Sequence, residues 1–310
     1  MICKLDRSLC TLVVVLKKKT LGNKFSLNKS RLRYAMEPFV IKEQEYLKIE
    51  SWMKENPGLL AGFSTKNGGF SQGAFSGLNF GFHVGDDPLS VCRNRELLST
   101  KTGFPLSSWV GAEQTHENKI KKITRADQGK GSNRYETSFR GTDGFFTDEK
   151  GVLLTLCFAD CVPLYFLDEN KGFIGLAHAG WKGSVSGIAK EMVSVFVQNG
   201  SNPATISAKI GPCICKKCYI VDNRVITFVQ KILEGVEKKP YNQINNDQYS
   251  LDLKELNKLI LLSAGLREEN ISQTNYCTSC HGEHFYSHRR DQGNTGRMIA
   301  FIGWKEDLHP

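Results

Sequence analysis

The chain has 310 residues, of which 40% are hydrophobic and 10% aromatic, so it is long enough to bury one large core or two smaller ones. Its net charge of +9 raises the question of a nucleic-acid partner. Residues 1–36 carry nine Lys or Arg against one Asp, which leaves a net charge of only about +1 for the rest. The charge distribution therefore argues against a nucleic-acid-binding fold.

Residues 1–36 form a basic, acid-poor leader that is typical of an organelle transit peptide for a chloroplast or mitochondrion. Its apolar run, Leu9 to Leu16, is too short to span a bilayer, which needs about 20 residues, so we expect no membrane association. If the leader is instead a disordered tail, with Met36 as the functional start, the protein is expected to be cytoplasmic. Either way, we assign the fold to residues 37–310.

The first predicted elements after the leader are a strand, a loop and a helix. Leu59 to Thr65 reads as a strand. Lys66 to Asp87 is rich in Gly, Asn and Phe, which predicts a loop able to fold tightly over a site. Ser90 to Thr102 is predicted to be a helix.

The centre of the chain is dense in apolar runs, which predict strands buried on both faces. These runs are Val152 to Phe158, Pro163 to Leu167 and Gly172 to Ala177. The clearest helix follows, with one buried face formed by Val185, Ile188, Ala189, Met192, Val193 and Phe196. A strand over Ile206 to Ile210, helices over Arg224 to Leu233 and Leu253 to Ser263, and a strand over Met298 to Trp304 complete the pattern. With no internal repeat or long linker, it predicts a single mixed α/β domain.

Cys161 and His178 lie 17 residues apart at the ends of predicted strands, and His116 lies in a polar turn upstream. Thiolate and imidazole bind zinc or copper readily, and three protein ligands leave a fourth position open for water or substrate. The pattern therefore favours a catalytic metal site, although buried Cys and His residues are also common in ordinary cores.

Six motifs occur in the order of one known family. They are Gln114-Thr115-His116, Thr142-Asp143-Gly144, Ala159-Asp160-Cys161-Val162-Pro163, His178-Ala179-Gly180-Trp181-Lys182-Gly183, Ile210-Gly211-Pro212-Cys213-Ile214 and Thr295-Gly296-Arg297. From about Leu59 to Trp304 the chain resembles the laccase-domain, or multicopper polyphenol oxidoreductase-like, family of purine nucleoside phosphorylases. The resemblance implies a single layered α/β domain, a mixed α+β sandwich, that binds one zinc ion through His116, Cys161 and His178.

The resemblance also implies an activity, namely phosphorolysis of adenosine, inosine, guanosine and methylthioadenosine, with deamination of adenosine. The substrates would be purine nucleosides and phosphate. A zinc ion held in this way can lower the pKa of a bound water towards about 7 and so supply a nucleophile for C6 of adenine.

Further residue roles follow from the same resemblance. Asp160 is expected to carry a proton, or else only to orient a ligand. Candidate phosphate contacts are Arg95, Lys182, Arg297 and the N–H groups of Gly183 and Ser184, and each of them could instead serve packing. His83 and Asp86 lie in the segment expected to face the nucleoside. Lys182 stands where the family usually has Arg, and His288 where it more often has an aromatic residue.

Two other activities stay open. One is copper-dependent polyphenol oxidation, with copper replacing zinc as the cofactor. The other is amide hydrolysis that edits a peptidoglycan precursor. The sequence does not indicate the oligomeric state.

The remaining cysteines allow two more interpretations. Cys277-Thr278-Ser279-Cys280-His281 matches a c-type haem attachment motif, but the match lacks its context. Cys213, Cys215, Cys218, Cys277 and Cys280 can alternatively form a second, structural zinc site. The distances between them decide this, and they depend on the fold.

Overall fold

The computed structural model describes residues 37–306, so the predicted leader over residues 1–36 lies outside the described residues. Two six-stranded sheets and one three-stranded sheet form the framework. The strands are β1 (Val40–Ile41), β2 (Tyr46–Lys48), β3 (Leu59–Ser64), β4 (Trp109–Val110), β5 (Ile120–Lys122), β6 (Gly144–Thr147), β7 (Leu153–Phe158), β8 (Val162–Asp168), β9 (Phe173–Ala179), β10 (Ser207–Ile210), β11 (Ile220–Val221), β12 (Tyr241–Gln243), β13 (Tyr249–Leu251), β14 (Ile271–Gln273) and β15 (Met298–Trp304). The helices are α1 (Glu50–Glu55), α2 (Pro88–Thr102), α3 (Trp181–Val185), α4 (Ile188–Gln198), α5 (Asn223–Ile232) and α6 (Leu253–Ser263).

Both large sheets are mixed. The first has the strand order β1-β2-β3-β15-β7-β4, and only β4 runs parallel to its neighbour. The second has the order β14-β10-β8-β9-β6-β5, with a parallel strand at each edge and antiparallel pairs between them. The small sheet, β11-β13-β12, shares no strand with either, and its Val221 and Leu251 pack in the same core cluster as the second sheet.

The main core lies between the two large sheets. Phe63, Leu154 and Leu156 of the first sheet pack with Tyr165 and Ile174 of the second. Every residue of β8 and β9 is buried, because helices cover the other face of their sheet. The continuously apolar runs of the sequence are thus strands covered on both faces, as predicted.

Helices cover the outer faces and complete a four-layer α/β sandwich. On the second sheet, Met192 and Phe196 of α4 belong to a cluster that also contains Phe146 and Phe173 and residues of α5 and α6. On the first sheet, Leu98 of α2 belongs to a separate cluster. The predicted mixed α/β fold is therefore confirmed. Within residues 37–306, no helix is both long enough and apolar enough to cross a membrane.

Two helices differ from the sequence prediction. The helix predicted around Val185 to Phe196 is divided into α3 and α4, because Gly187 adopts the left-handed conformation (φ +83°) between them. Helix α2 begins at Pro88, earlier than predicted, because the Asp87 side chain accepts hydrogen bonds from the backbone N–H groups of Leu89 and Ser90. The other predicted strands and helices match observed ones to within a few residues.

The contact between β9 and α4 gives a stability prediction. A Cβ at Gly175 would lie 2.9 Å from Met192 Sδ and 3.0 Å from a ring carbon of Phe196. We expect Gly175→Ala to lower the free energy of unfolding by about 1–3 kcal/mol through overpacking. In a double-mutant cycle with Met192→Ala, measured by denaturant unfolding, the two losses should be clearly less than additive. Additive losses would show that the two groups do not compete for space.

Candidate metal centre

The three predicted metal ligands come together at the open end of the β8–β9 hairpin. His178 pairs with Pro163 in this hairpin, and Cys161 immediately precedes β8. His116 reaches the same point from the turn that precedes β5. One ligand atom from each residue lies within 4.8 Å of the other two, and the two imidazole rings are 4.7 Å apart, centroid to centroid. The sequence spacing therefore identified side chains that the fold places together.

A buried carboxylate, Asp143, organises this group. Its Oδ1 lies 2.8 Å from His178 Nδ1 and also accepts the backbone N–H of His116 at 3.0 Å. Its Oδ2 accepts the backbone N–H groups of Thr115 and Glu117 at 3.1 and 2.9 Å. One carboxylate thus orients the His178 ring and fixes the turn that presents His116. With Nδ1 held by Asp143, the free ring nitrogen for a metal is Nε2.

Asp143 is a functional residue to which the sequence analysis gave no role. It was visible only as the middle residue of Thr142-Asp143-Gly144. Gln114 was likewise quoted without a role, and its side-chain amide forms two hydrogen bonds with the backbone of Cys157, at 2.9 and 2.7 Å. These bonds attach the segment before His116 to β7.

The backbone around the ligands adopts uncommon conformations. His116 and Asp160 have φ values of +65° and +81°, which non-glycine residues rarely adopt. Gly180 follows β9, and a Cβ there would lie 2.9 Å from Cys161 Sγ and 3.0 Å from His116 Cδ2. The ligand cluster therefore requires a residue without a side chain at position 180.

The ligand side chains perturb one another's protonation. Burial opposes ionisation of Cys161, but His178 and His116 outweigh it and lower the pKa of the thiol to about 6. Burial also disfavours the imidazolium of His178, yet Cys161 and Asp143 raise the pKa of His178 to about 9. Each of these two side chains thus favours the charged form of the other, and a metal ion, which binds the thiolate and a neutral imidazole, competes with the proton on His178.

The donor set fits a tetrahedral metal with one open position. A thiolate and two imidazoles are borderline-soft ligands that suit zinc and also copper. The Asp143 carboxylate behind His178 is the outer partner that metal-bound histidines usually have. These features agree with the predicted set of His116, Cys161 and His178 without identifying the metal.

The ligand cluster forms one wall of a cleft of about 470 Å³, which is within the usual size range for small-molecule sites. Three cationic side chains, those of Lys182, Arg289 and Arg297, line it together with a single carboxylate, Asp160. Its aromatic lining comprises Tyr135, Trp181 and Tyr219, and its further histidines are His83 and His288. The cleft is thus basic, with aromatic faces.

Asp160 holds loops together. Its Oδ1 accepts the Thr278 hydroxyl at 2.6 Å, and its Oδ2 accepts the Ser287 hydroxyl at 3.0 Å and the Arg289 backbone N–H at 2.7 Å. These three hydrogen bonds fix the orientation of the Asp160 carboxylate. None of these three contacts is to a metal ligand, so both predicted roles for Asp160, proton carrier or group that orients a ligand, stay predictions.

Arg95 does not take the position expected of a phosphate contact. Its guanidinium is buried and donates hydrogen bonds to the backbone carbonyl oxygens of Phe80, Gly131 and Ser132, at 2.7 to 3.2 Å. The side chain therefore joins two loops behind the cleft. The Ser184 N–H is also occupied, since it bonds to Gly180 O at 2.8 Å.

The other predicted contacts do reach the cleft. His83, Lys182 and Arg297 all line it. Desolvation, together with the positive charges of Arg297 and Arg95, lowers the pKa of His83 to about 4, so this imidazole is neutral near pH 7. Asp86, predicted to face the nucleoside with His83, instead accepts hydrogen bonds from Ser71 and Asn79 at 2.6 and 2.8 Å and shapes the loop.

Most of the chain matches one known protein family. Residues 60–305 match the model of the multi-copper polyphenol oxidoreductase laccase family, a range that includes all three ligands. The chain belongs to this family. The match confirms the family predicted from the sequence motifs.

Several relatives of known name are similar over most of their length. The purine nucleoside phosphorylase YlmD of Bacillus subtilis is 49% identical over 273 residues, which cover 87% of this chain and 98% of the relative. The protein of the same name from Geobacillus stearothermophilus is 47% identical over 251 residues, covering 81% and 92%.

Solved structures confirm the fold of this family member. The crystal structure of YlmD from Geobacillus stearothermophilus has a TM-score of 0.84 and 44% identity, covering 87% of this chain and 100% of that one. The Neisseria meningitidis protein NMB0706 has a TM-score of 0.70 and 28% identity, covering 81% and 96%.

The role of Asp143 can be tested by replacing its carboxylate with an amide. We expect Asp143→Asn to weaken zinc binding by about 10- to 100-fold, because His178 loses its charged partner and the turn at His116 loses an acceptor. Competition with a chromophoric chelator measures this affinity. Asp148→Asn is the control, since Asp148 pairs with Lys122 at the surface. Equal zinc affinity in both variants would contradict the assigned role.

Proposed function

We propose that this protein is a purine nucleoside phosphorylase that uses a zinc ion held by His116, Cys161 and His178. It would convert adenosine, inosine, guanosine or methylthioadenosine and phosphate to the free base and a ribose 1-phosphate. The observation that carries the proposal is the combination, in one cleft, of the ligand cluster, three cations and aromatic faces. The names of the relatives support the same activity.

The cleft can bind both substrates. Phosphate is a dianion near neutral pH, and Arg297 and Lys182 can neutralise it, Arg297 with a planar set of donors. Purine rings stack favourably on aromatic side chains, and Tyr135, Trp181 and Tyr219 provide such faces. Placing the phosphate and the nucleoside side by side lowers the entropic cost of their reaction.

In phosphorolysis, a phosphate oxygen attacks C1 of the ribose while the bond from C1 to the purine nitrogen breaks, and the electron pair leaves with the base. The cationic side chains of the cleft hold the attacking phosphate. The neutral imidazole of His83 can accept a hydrogen bond from a substrate hydroxyl or amino group. A bound zinc ion would supply a Lewis acid and a water of lowered pKa.

We further propose that the site deaminates adenosine. The same zinc chemistry supports hydrolysis at C6, in which the oxygen of a water forms a bond to C6, the bond from C6 to the amino nitrogen breaks, and ammonia leaves with a proton from that water. Asp160 is engaged by three donors, so its contribution would be to hold Thr278, Ser287 and Arg289 in place.

The location of the protein in the cell is a separate question. The relatives come from bacteria, which favours the cytoplasmic alternative over an organelle.

Polyphenol oxidation with copper is the second candidate. A set of two histidines and one cysteine also suits copper, and the family carries the name of copper enzymes. A phenol, however, is uncharged, so binding it does not require the three cationic side chains of the cleft. Four-electron reduction of dioxygen requires several coppers, whereas within residues 37–306 only one ligand group contains histidine. No feature of the cleft specifically favours the peptidoglycan amide hydrolase.

The proposal is tested with the full chain, its bound metal and adenosine. We expect adenine and ribose 1-phosphate to form only when phosphate is present, and inosine to form without it, as followed by chromatography. Both activities should fall at least about 100-fold in Cys161→Ala, since the metal loses a ligand. Cys92→Ala, a half-exposed cysteine that does not line the cleft, is the matched control. A folded, zinc-loaded protein that leaves nucleosides unchanged would refute the function, and copper with phenol oxidation would favour the alternative.

The phosphate site gives a separate prediction. We expect Arg297→Gln to raise the KM for phosphate by about 10-fold or more, because a charge-assisted hydrogen bond contributes about 1.5–3 kcal/mol. The KM for adenosine should change much less. Arg93→Gln is the control, since its guanidinium packs over Phe70, 3.8 Å from the ring centroid, away from the cleft. An unchanged KM for phosphate in Arg297→Gln would show that phosphate binds elsewhere.

A further inference from the structure

Four cysteines form a second cluster outside the ligand set of the cleft. They come from two Cys-X-X-Cys segments, Cys215 to Cys218 and Cys277 to Cys280, which are distant in sequence. The four sulfur atoms all lie within 4.8 Å of one another. Cys280 Sγ is 3.9 Å from Cys215 Sγ and 3.4 Å from Cys218 Sγ.

These distances match a tetrahedral metal site. With zinc–sulfur bonds of about 2.3 Å, tetrahedral geometry separates neighbouring sulfurs by about 3.8 Å. A disulfide would bring two of them to about 2 Å. Two of the sulfur pairs lie near the first value and all four sulfurs lie within 4.8 Å of one another, so a single ion between them can bond to each.

The backbone around the cluster suits thiolates. The N–H groups of Cys215 and Cys280 point at Cys277 Sγ, at 3.2 and 3.4 Å, and Cys218 N bonds to Cys215 O at 3.0 Å to close its turn. Donors of this kind stabilise negative sulfur. Lys216 and Lys217, inside the first segment, add positive charge beside a centre that would carry a net charge of about −2.

Two nearby residues that the sequence motifs suggested as metal or haem ligands, Cys213 and His281, do not belong to the cluster. Cys213 is fully buried, and its Sγ lies 3.5 Å from Ile214 O. His281, the last residue of the haem-like motif, has its Nδ1 within 3.1 Å of the Cys277 backbone. Because Cys277 and Cys280 face Cys215 and Cys218, the arrangement favours a shared ion over haem attachment.

We propose that Cys215, Cys218, Cys277 and Cys280 bind a structural zinc ion. Four thiolates fill its coordination sphere, so this ion has no open position and takes no part in the reaction. The proposal stands independently of the proposed function, since it involves none of the residues that bind nucleoside or phosphate.

The zinc ion would connect two loops that form part of the cleft wall. Tyr219, which lines the cleft, directly follows Cys218. Thr278, between Cys277 and Cys280, donates to the Asp160 carboxylate, next to the ligand Cys161. The bound ion therefore holds the segment that supports the cleft from behind.

Elemental analysis of the full chain, purified without chelator, tests the proposal. We expect about two zinc ions per chain in the native protein and about one in Cys161→Ala, whose four-cysteine cluster is intact. The double variant Cys218→Ser, Cys280→Ser should also keep about one. Cobalt substitution then identifies the remaining site, since four thiolates give much stronger sulfur-to-cobalt charge-transfer absorption than one.

The Cys161→Ala arm gives a result even if loss of the second cluster prevents folding. Cys92→Ser is the control and should keep about two zinc ions. A Cys161→Ala protein without zinc, or with a disulfide among the four cysteines, would overturn the proposal, and so would iron in place of zinc. Residual zinc in Cys161→Ala whose cobalt form lacks strong sulfur-to-cobalt absorption would contradict it as well.

Discussion

The hydrogen bonds of the buried Asp143 carboxylate are the interaction on which the candidate metal centre depends. The carboxylate bonds at once to the ring of one ligand and to the backbone of the turn that carries another. A buried anion is costly unless it is well hydrogen-bonded, and five protein groups bond to this carboxylate. If His178 and the turn at His116 lost this shared acceptor, their positions would no longer be coupled.

The two-sheet sandwich explains why the centre lies where it does. Strands β8 and β9 are buried on both faces, so the side chains along most of their length pack in the core. Polar chemistry can begin only where the strands end, which is where Cys161, His178 and Gly180 are found. Two residues that line the cleft, His83 and Arg297, are far apart in sequence, and the Arg297 backbone bonds to Asn79 and Phe80 just before His83.

The sequence predicted the fold well because its signals are local. Apolar runs and helical periodicity each depend on neighbouring residues, and the strands and helices follow them closely. The proximity of Cys161 and His178 was also predictable, because a hairpin brings its ends together. The role of Asp143 was not, since it depends on contacts with residues 26 to 35 positions away.

Charge alone misled the assignment of Arg95. An arginine in a polar segment suggests an anion, but this one is satisfied by carbonyl groups of loops that the fold brings to it. The break between α3 and α4 was missed because the apolar spacing continues across Gly187. In both cases the deciding contact or conformation belongs to the backbone, which the side-chain pattern does not record.

The hairpin that carries Cys161 and His178 has a mechanical consequence. Its turn lies beyond Asp168 and Phe173, and its open end lies at Val162 and Ala179. A metal ion bound there would cross-link the two strands at the end that no turn connects. An ion that binds only the folded chain stabilises it by about 2.7 kcal/mol when its free concentration is 100 times its Kd. The free energy needed to separate β8 from β9 in the second sheet would therefore rise with the concentration of metal.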